Sequence, residues 1–155
     1  MEEEGMNNSD QSRLPDQRGQ ANVSAPATLQ CSEAEPLIMI RTCLELDRAL
    51  HGAELECTFQ HPIIVSLYAH GHRLGIGLGL RDSFVSFQRH KPTPGTNLIT
   101  VGDARADDRA VFFFLGWRRT EIPRRNLLPS TKARQILREF FETGVRPAIV
   151  EWEAL

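Results

Sequence analysis

The stretch IIVSLYAHGHRLGIGLGL, residues 63–80, decides the fold. Two strand-like runs, 63–68 and 73–80, flank a short turn containing Gly71, which is the pattern of a β-hairpin. In the second run, alternation sets Leu74, Ile76, Leu78 and Leu80 on one face and Gly75, Gly77 and Gly79 on the other. A face without side chains predicts that a helix, another strand or a partner's backbone lies close against it. The glycine spacing is not G-x-G-x-x-G and no helix follows, so the run is not a dinucleotide-binding loop.

Working outward, strand signals recur at FVSF (84–87), LITV (98–101), AVFFFLG (110–116) and RTEI (119–122), with flanking strands at 37–41 and 149–153. Short connections between successive strands favour antiparallel pairing. AVFFFL is apolar on both faces, which predicts a central strand covered on both sides. Thr42 and Glu45 make a T-x-x-E capping box for a helix over 43–51, with Leu46 and Leu50 on one face and Gly52 placed to stop it. A second helix is predicted over 131–143. Ala133, Ile136, Leu137, Phe140 and Phe141 form its apolar face, Ser130 is its N-cap, and Gly144 sits at C′ with Pro147 beyond. In the last strand Val150 and Trp152 point one way and Glu151 and Glu153 the other. These signals predict an α+β domain: a mostly antiparallel sheet of about six to seven strands with two helices packed on it.

The 155-residue chain has the length of one domain, and its 41% hydrophobic and 25% charged content is that of a soluble globular protein. The net charge of −2 is unevenly placed. Residues 1–35 carry Glu2, Glu3, Glu4, Asp10, Asp16, Glu33 and Glu35 against Arg13 and Arg18, with few large apolar side chains. Such a segment cannot offset its ordering entropy by burial, so 1–35 is expected to be a disordered acidic tail and 36–155 the folded domain. A start codon assigned too far upstream gives the same pattern. The body is mildly basic, whereas a polyanion binder shows a much stronger basic stripe. Cys31, Cys43 and Cys57 include no CxxC pair, against a disulfide framework or structural zinc, and free thiols suit a reducing cytoplasm. No apolar run is long enough to cross a bilayer, and MEEEGMNNSD has no signal-peptide pattern, so a cytoplasmic location is expected.

The chemistry-bearing residues do not form a motif. His70 and His72 flank a turn glycine and are expected to be solvent-exposed. Asp103, Asp107 and Asp108 lack EF-hand spacing. The deaminase zinc signature, G-x-S-x-G, H-E-x-x-H and the P-loop are all absent. The most unusual segment is GWRRTEIPRRN, 116–126. Trp and Arg are the types most enriched at energetically dominant interface positions, which makes Trp117, Arg118, Arg119, Glu121, Arg124 and Arg125 candidates for binding a partner. Two other readings stand beside it. Trp117 could be core, with the arginines solvated or paired to Glu121. Alternatively, Arg118, Arg119, Arg124 and Arg125 could serve a nucleic-acid-binding accessory domain, although no aromatics interleave them as in a single-strand binder. An enzyme whose site assembles only in space is the third possibility.

The C-terminal half also carries a resemblance. A Gly102-Asp103 turn, an aromatic strand from Phe112 to Gly116, and E-x-P at Glu121–Pro123 precede a helix introduced by Pro129. The pattern A-x-x-x-x-x-E-F-x-x-T-G-x-R-P-x-x-V-x-W then runs from Ala133 to Trp152. Over about residues 60–155 this resembles immunity-protein family one of bacterial polymorphic toxin systems. The resemblance implies a small cytoplasmic α+β protein without catalysis or cofactor. Its partner would be a cognate toxin domain, often a nucleic-acid deaminase, which it binds and blocks; no direct contact with nucleic acid or membrane is implied. Because the body is mildly basic, a block on a deaminase toxin is expected to be by steric plugging or by docking on an acidic toxin surface rather than by imitation of a nucleic-acid backbone.

Overall fold

The computed structural model describes residues 26–89 and 96–155. In chain order these form β1 (Ala27–Gln30), β2 (Ile38–Ile40), α1 (Cys43–Leu55), β3 (Ile63–Ala69), β4 (His72–Leu78), β5 (Asp82–Ser83) and β6 (Val85–Arg89). There follow β7 (Asn97–Val101), β8 (Ala110–Leu115), β9 (Arg118–Pro123), a 3-10 turn (Arg124–Asn126), β10 (Leu128–Pro129), α2 (Ser130–Thr143) and β11 (Glu151–Ala154). The architecture is α+β, with a nine-stranded sheet in which β11, β7, β6, β4, β3, β1 and β2 are neighbours in that order. All of these neighbours pair antiparallel. The β8–β9 hairpin joins β3 by a single parallel bridge, Ile63 to Phe114.

Residues 63–78 form the central hairpin, β3–β4. Ala69 pairs with His72, leaving His70 and Gly71 as a two-residue turn with φ of 51° and 73°. Two positive φ values define the type I′ turn, whose twist matches that of the flanking strands. His70 is more than an exposed turn residue. Its Nε2 lies 2.9 Å from the Phe141 carbonyl oxygen and donates to a last-turn carbonyl that helical geometry leaves open. His72 is half-buried, its ring tilted against Phe87 at 5.1 Å and edge-on to Phe140 at 6.0 Å, so the expectation of two exposed histidines fails there.

Both helices pack on one face of the sheet. Leu46, Leu50 and Ala53 of α1 and Ala133, Ile136, Leu137 and Phe140 of α2 close over Val65, Leu67, Leu74, Ile76, Leu78 and Phe87. The α2 face read from periodicity is therefore the core face, and Gly144 ends the helix at φ 69° with its N–H on the Phe140 carbonyl. Ser130 is not the N-cap. Helix α2 starts at Ser130 after Pro129, and the Ser130 N–H instead bonds the Arg81 carbonyl at 3.1 Å, where β10 meets β5. Helix α1 opens as the sequence implies, with Thr42 Oγ1 accepting from the Glu45 N–H at 3.1 Å, but it runs through Gly52 to Leu55. The apolar contact of Ala53 and the Glu54–Arg134 ion pair hold that extra turn onto the core.

The opposite face answers the question of the glycines. Phe113 of β8 lies on Gly77, Ser86 stands beside Gly75, and Cys57 and Pro62 crowd Gly79. Gly79 has φ 101°, which breaks the alternation, so Leu80 joins Ile64, Phe84, Ile99, Phe113 and Ile122 in a smaller second core. Strand β8 is not central. It is a hairpin strand at the sheet margin, and of its three phenylalanines only Phe113 is buried; Phe112 and Phe114 face outward. A run apolar on both faces predicts double cover, but here the outward rings stay partly open, with Arg119 over Phe112 and His61 stacked on Phe114.

Residues 1–25 of the expected acidic tail lie outside the described residues. Residues 27–30, placed in that tail by composition, form β1 between β2 and β3, with Ala27 and Leu29 buried. Four residues of which three are small or polar give too little alternation to be read as a strand in isolation.

Candidate functional site

Val111, Phe113 and Leu115 of β8 and Ile122 of β9 face the second core, which turns Phe112, Phe114, Arg119 and Glu121 outward. Leu115 pairs with Arg118, so Gly116 and Trp117 form a two-residue turn with Gly116 at φ 61°, the type II′ arrangement. The fold thus carries Trp117 at a hairpin tip, 82% exposed. It is not core. The Arg118 guanidinium lies 5.6 Å from the Trp117 ring centroid. On the outer face the Arg119 guanidinium sits 4.0 Å above Phe112, while Phe114 stacks on His61 at 4.1 Å. Stacking of this kind orders a long cation before any partner arrives.

The remaining candidates lie at the base of the hairpin and are already engaged. Arg124 pairs with Asp107 at 3.3 Å, and Arg125 pairs with Glu153 at 2.7 Å. Asn126, buried, donates through Nδ2 to the Thr100 carbonyl at 2.9 Å and to Glu153 at 2.6 Å, fixing the 3-10 turn to β7 and β11. Gly102 is required at this crossing. Its N–H donates to the Arg125 carbonyl at 2.7 Å, and a Cβ there would stand 1.7 Å from the Leu127 carbonyl oxygen. The six candidate residues therefore divide into a tip (Trp117, Arg118), an outer face (Arg119, Glu121) and a paired base (Arg124, Arg125).

Between β9 and the helix-free face of the sheet runs a groove of about 570 Å³. Its floor includes Arg73, Gly75, Ser86 and Gln88, its wall Thr120, Glu121 and Ile122, and its end Arg125, Asn126 and Glu153. Arg73 was not singled out from sequence. The signal was present, because alternation along β4 places it on the glycine face.

The cysteines are poor nucleophiles at neutral pH. Burial and then the carboxylates of Glu35 and Glu56 push the Cys31 thiol up, and burial likewise raises Cys57 despite a backbone hydrogen bond that lowers it. Cys43, desolvated and donating to Glu142 at 3.0 Å, is pushed up to about 11. Among the described residues no group of three or more His, Cys, Asp or Glu side chains is arranged to hold a metal ion. No helix among them is long and apolar enough to cross a membrane. What the surface offers is recognition: an exposed indole, ordered guanidinium groups and a polar groove.

Residues 38–154 match the protein-family model described as Immunity protein Imm1. No curated protein matches the chain in sequence.

Proposed function

The chain belongs to the Imm1 immunity-protein family, and from that premise we propose that it binds a cognate toxin domain one-to-one and blocks it, with the β8–β9 hairpin as the docking element. The observation that carries this reading is Trp117, held in water at 82% exposure on the tip of a tight turn, beside Arg118 and Arg119. Neither arginine has a carboxylate partner among the described residues. A large aromatic left outside the core by a rigid turn, flanked by uncommitted guanidinium groups, is the composition of an interface hot spot. A stable complex would bury roughly 1,200–2,000 Å² in total, more than the hairpin tip supplies, so neighbouring surface takes part. Inhibition of this kind needs no chemistry from the inhibitor. Where the toxin is a nucleic-acid deaminase, the hairpin would plug its substrate cleft, since the mildly basic body is a poor imitation of a phosphate backbone. The nucleic-acid-binding alternative is weakened by the pairing of Arg124 and Arg125 with Asp107 and Glu153.

Co-expression with the toxin domain encoded beside this gene, in the cytoplasm of a sensitive host, tests the proposal. The wild-type chain should restore growth and co-purify with the toxin domain. The Arg118→Glu, Arg119→Glu double variant should fold and rescue poorly, because reversed charges now meet the toxin's carboxylates. Absence of binding and rescue by the wild type refutes the antitoxin reading; full rescue by the variant moves the interface off the hairpin.

A further inference from the structure

We infer that the helix-free face of the sheet, beside the hairpin, clamps a carboxylate-bearing segment of the toxin domain, with Arg73 as its anchor; this rests on the antitoxin reading above. Arg73 is held in place before any partner arrives. Its Nε and Nη2 donate to Ser66 Oγ at 3.1 and 3.0 Å, and its guanidinium lies 5.9 Å from the Tyr68 ring centroid. The Tyr68 hydroxyl in turn donates to Gln30 Oε1 at 3.1 Å. A guanidinium carries five N–H donors, so most of the fork is uncommitted.

Its charge is also unanswered. Arg109, Arg124, Arg125, Arg134 and Arg138 all have carboxylates within 4.0 Å, whereas Arg73 has none among the described residues. A half-buried cation on a sheet face, fixed by neutral groups and lacking a counter-ion, is complementary to an incoming carboxylate, which a fixed fork binds bidentately.

Surface shape leads to the same residue. Arg73 lines three depressions at once: the groove against β9, one of about 680 Å³ that runs to the His70–Gly71 turn, and one of about 460 Å³ that reaches Arg118 at the hairpin tip. The depression toward the turn also carries His70, His72 and Arg89 and no carboxylate. At the other end of the face Glu153 is held by Arg125 and Asn126, so its charge is met from within. A protein segment could therefore pass along the face and set one carboxylate on Arg73 while the hairpin tip engages the same partner. A nucleic acid fits less well, because among the described residues this face presents no succession of exposed rings for successive bases, and Arg125 at its end is already paired with Glu153.

The test uses the full chain and the toxin domain encoded beside its gene. Arg73→Gln should weaken the complex about thirtyfold or more and flatten the salt dependence of its dissociation constant, with the melting temperature close to wild type. Arg73→Lys, which keeps the charge but loses the fork, should recover part of the affinity. Wild type that binds no toxin domain refutes the antitoxin reading and this assignment with it. Wild type and Arg73→Gln binding alike refutes this assignment alone. Two other results also overturn it. Arg73→Gln could reduce binding of a single-stranded oligonucleotide instead, assigning the face to nucleic acid. It could also lower the melting temperature of the full chain but not of a chain starting at Pro26, assigning the face to the acidic residues that precede Pro26.

Discussion

The ring of Phe113 occupies the place where a side chain on residue 77 would lie: a Cβ built on Gly77 stands 2.5 Å from Phe113 Cε1. The ring cannot retreat easily, since it is fully buried and edge-on to Phe84 at 5.1 Å. Gly77→Ala should therefore cost about 1–3 kcal/mol, the range for overpacking a filled core. Denaturant unfolding reads the change, and an unshifted midpoint would mean that the hairpin is not seated on β4.

Phe140 is enclosed by His70, His72 and Phe87, all edge-on or nearly so, at 5.6 to 6.0 Å. Phe140→Ala should destabilise the fold by about 3–5 kcal/mol. Trp152 is only half-buried, edge-on to Phe87, with its Nε1–H donating to the Pro147 carbonyl at 2.8 Å. Trp152→Ala should cost less than Phe140→Ala. The reverse order in equilibrium melts would place the main core under β11 rather than under α2.

Strand β1 ties the edge strand β2 to β3, and Leu29 is fully buried in the main core. Leu29→Ala should cost about 2–5 kcal/mol. A chain starting at Pro36 should melt at a lower temperature than one starting at Pro26, because it opens the β1 edge of β3 along residues 66–68 and removes the only neighbour of β2 among the described strands. Equal melts for the two shortened chains would remove β1 from the fold.

Trp117 makes no core contact, so Trp117→Ala should leave stability within about 0.5 kcal/mol. Under the antitoxin reading the same substitution should weaken the toxin complex by at least about tenfold. Calorimetry on the pair and a melt of the free protein separate the two quantities; a destabilised free protein would mean that the indole is structural.

Cys43 should react with iodoacetamide slowly up to high pH, its rate rising with a midpoint near the value of about 11 set by burial and by Glu142. Glu142→Gln should lower that midpoint by removing the negative charge and leaving only a weaker, neutral acceptor. The sign for stability follows from the raised value. The folded state holds the thiol proton more tightly than the unfolded chain, whose ordinary value is 9.0, so this contribution is complete below about pH 9 and is lost as pH rises through about 11. A midpoint at the ordinary value would show the thiol to be solvated.

How much of this was legible depended on whether a residue's place was set by local periodicity or by distant partners. The face of α2, its stop at Gly144 and the β3–β4 hairpin follow from spacing and from glycine's access to positive φ, and all are readable in a few consecutive residues. The run through Gly52 was not, because a contact of Ala53 and a pairing with Arg134, far along the chain, decide it. Strand β1 was hidden for the same reason, since its neighbours are supplied by β2 and β3. At the surface, composition drew attention to the 116–126 segment, but only folding separates Trp117 at the tip from Arg124 and Arg125 at the paired base. Alternation places Arg73 on the glycine face, but that its guanidinium is fixed by Ser66 and Tyr68 depends on strand pairing and is visible only in the fold.

The hairpin backbone meets the sheet through one bridge, Ile63 to Phe114, and a Phe114 N–H bond to the Pro62 carbonyl at 2.8 Å, while its inner side chains, Val111, Phe113, Leu115 and Ile122, are seated in the second core. Residues 110–123 are therefore held by their inner face, and their outer face is not used by the scaffold core. Substitutions at Arg119 or Glu121 on the outward side, or at the Gly116–Trp117 tip, leave that inner seat in place. Under the antitoxin reading, such an attachment lets recognition drift while foldability is inherited intact. For engineering it marks where to cut: a foreign hairpin that keeps a phenylalanine in register with Gly77 should carry its own partner preference onto this sheet.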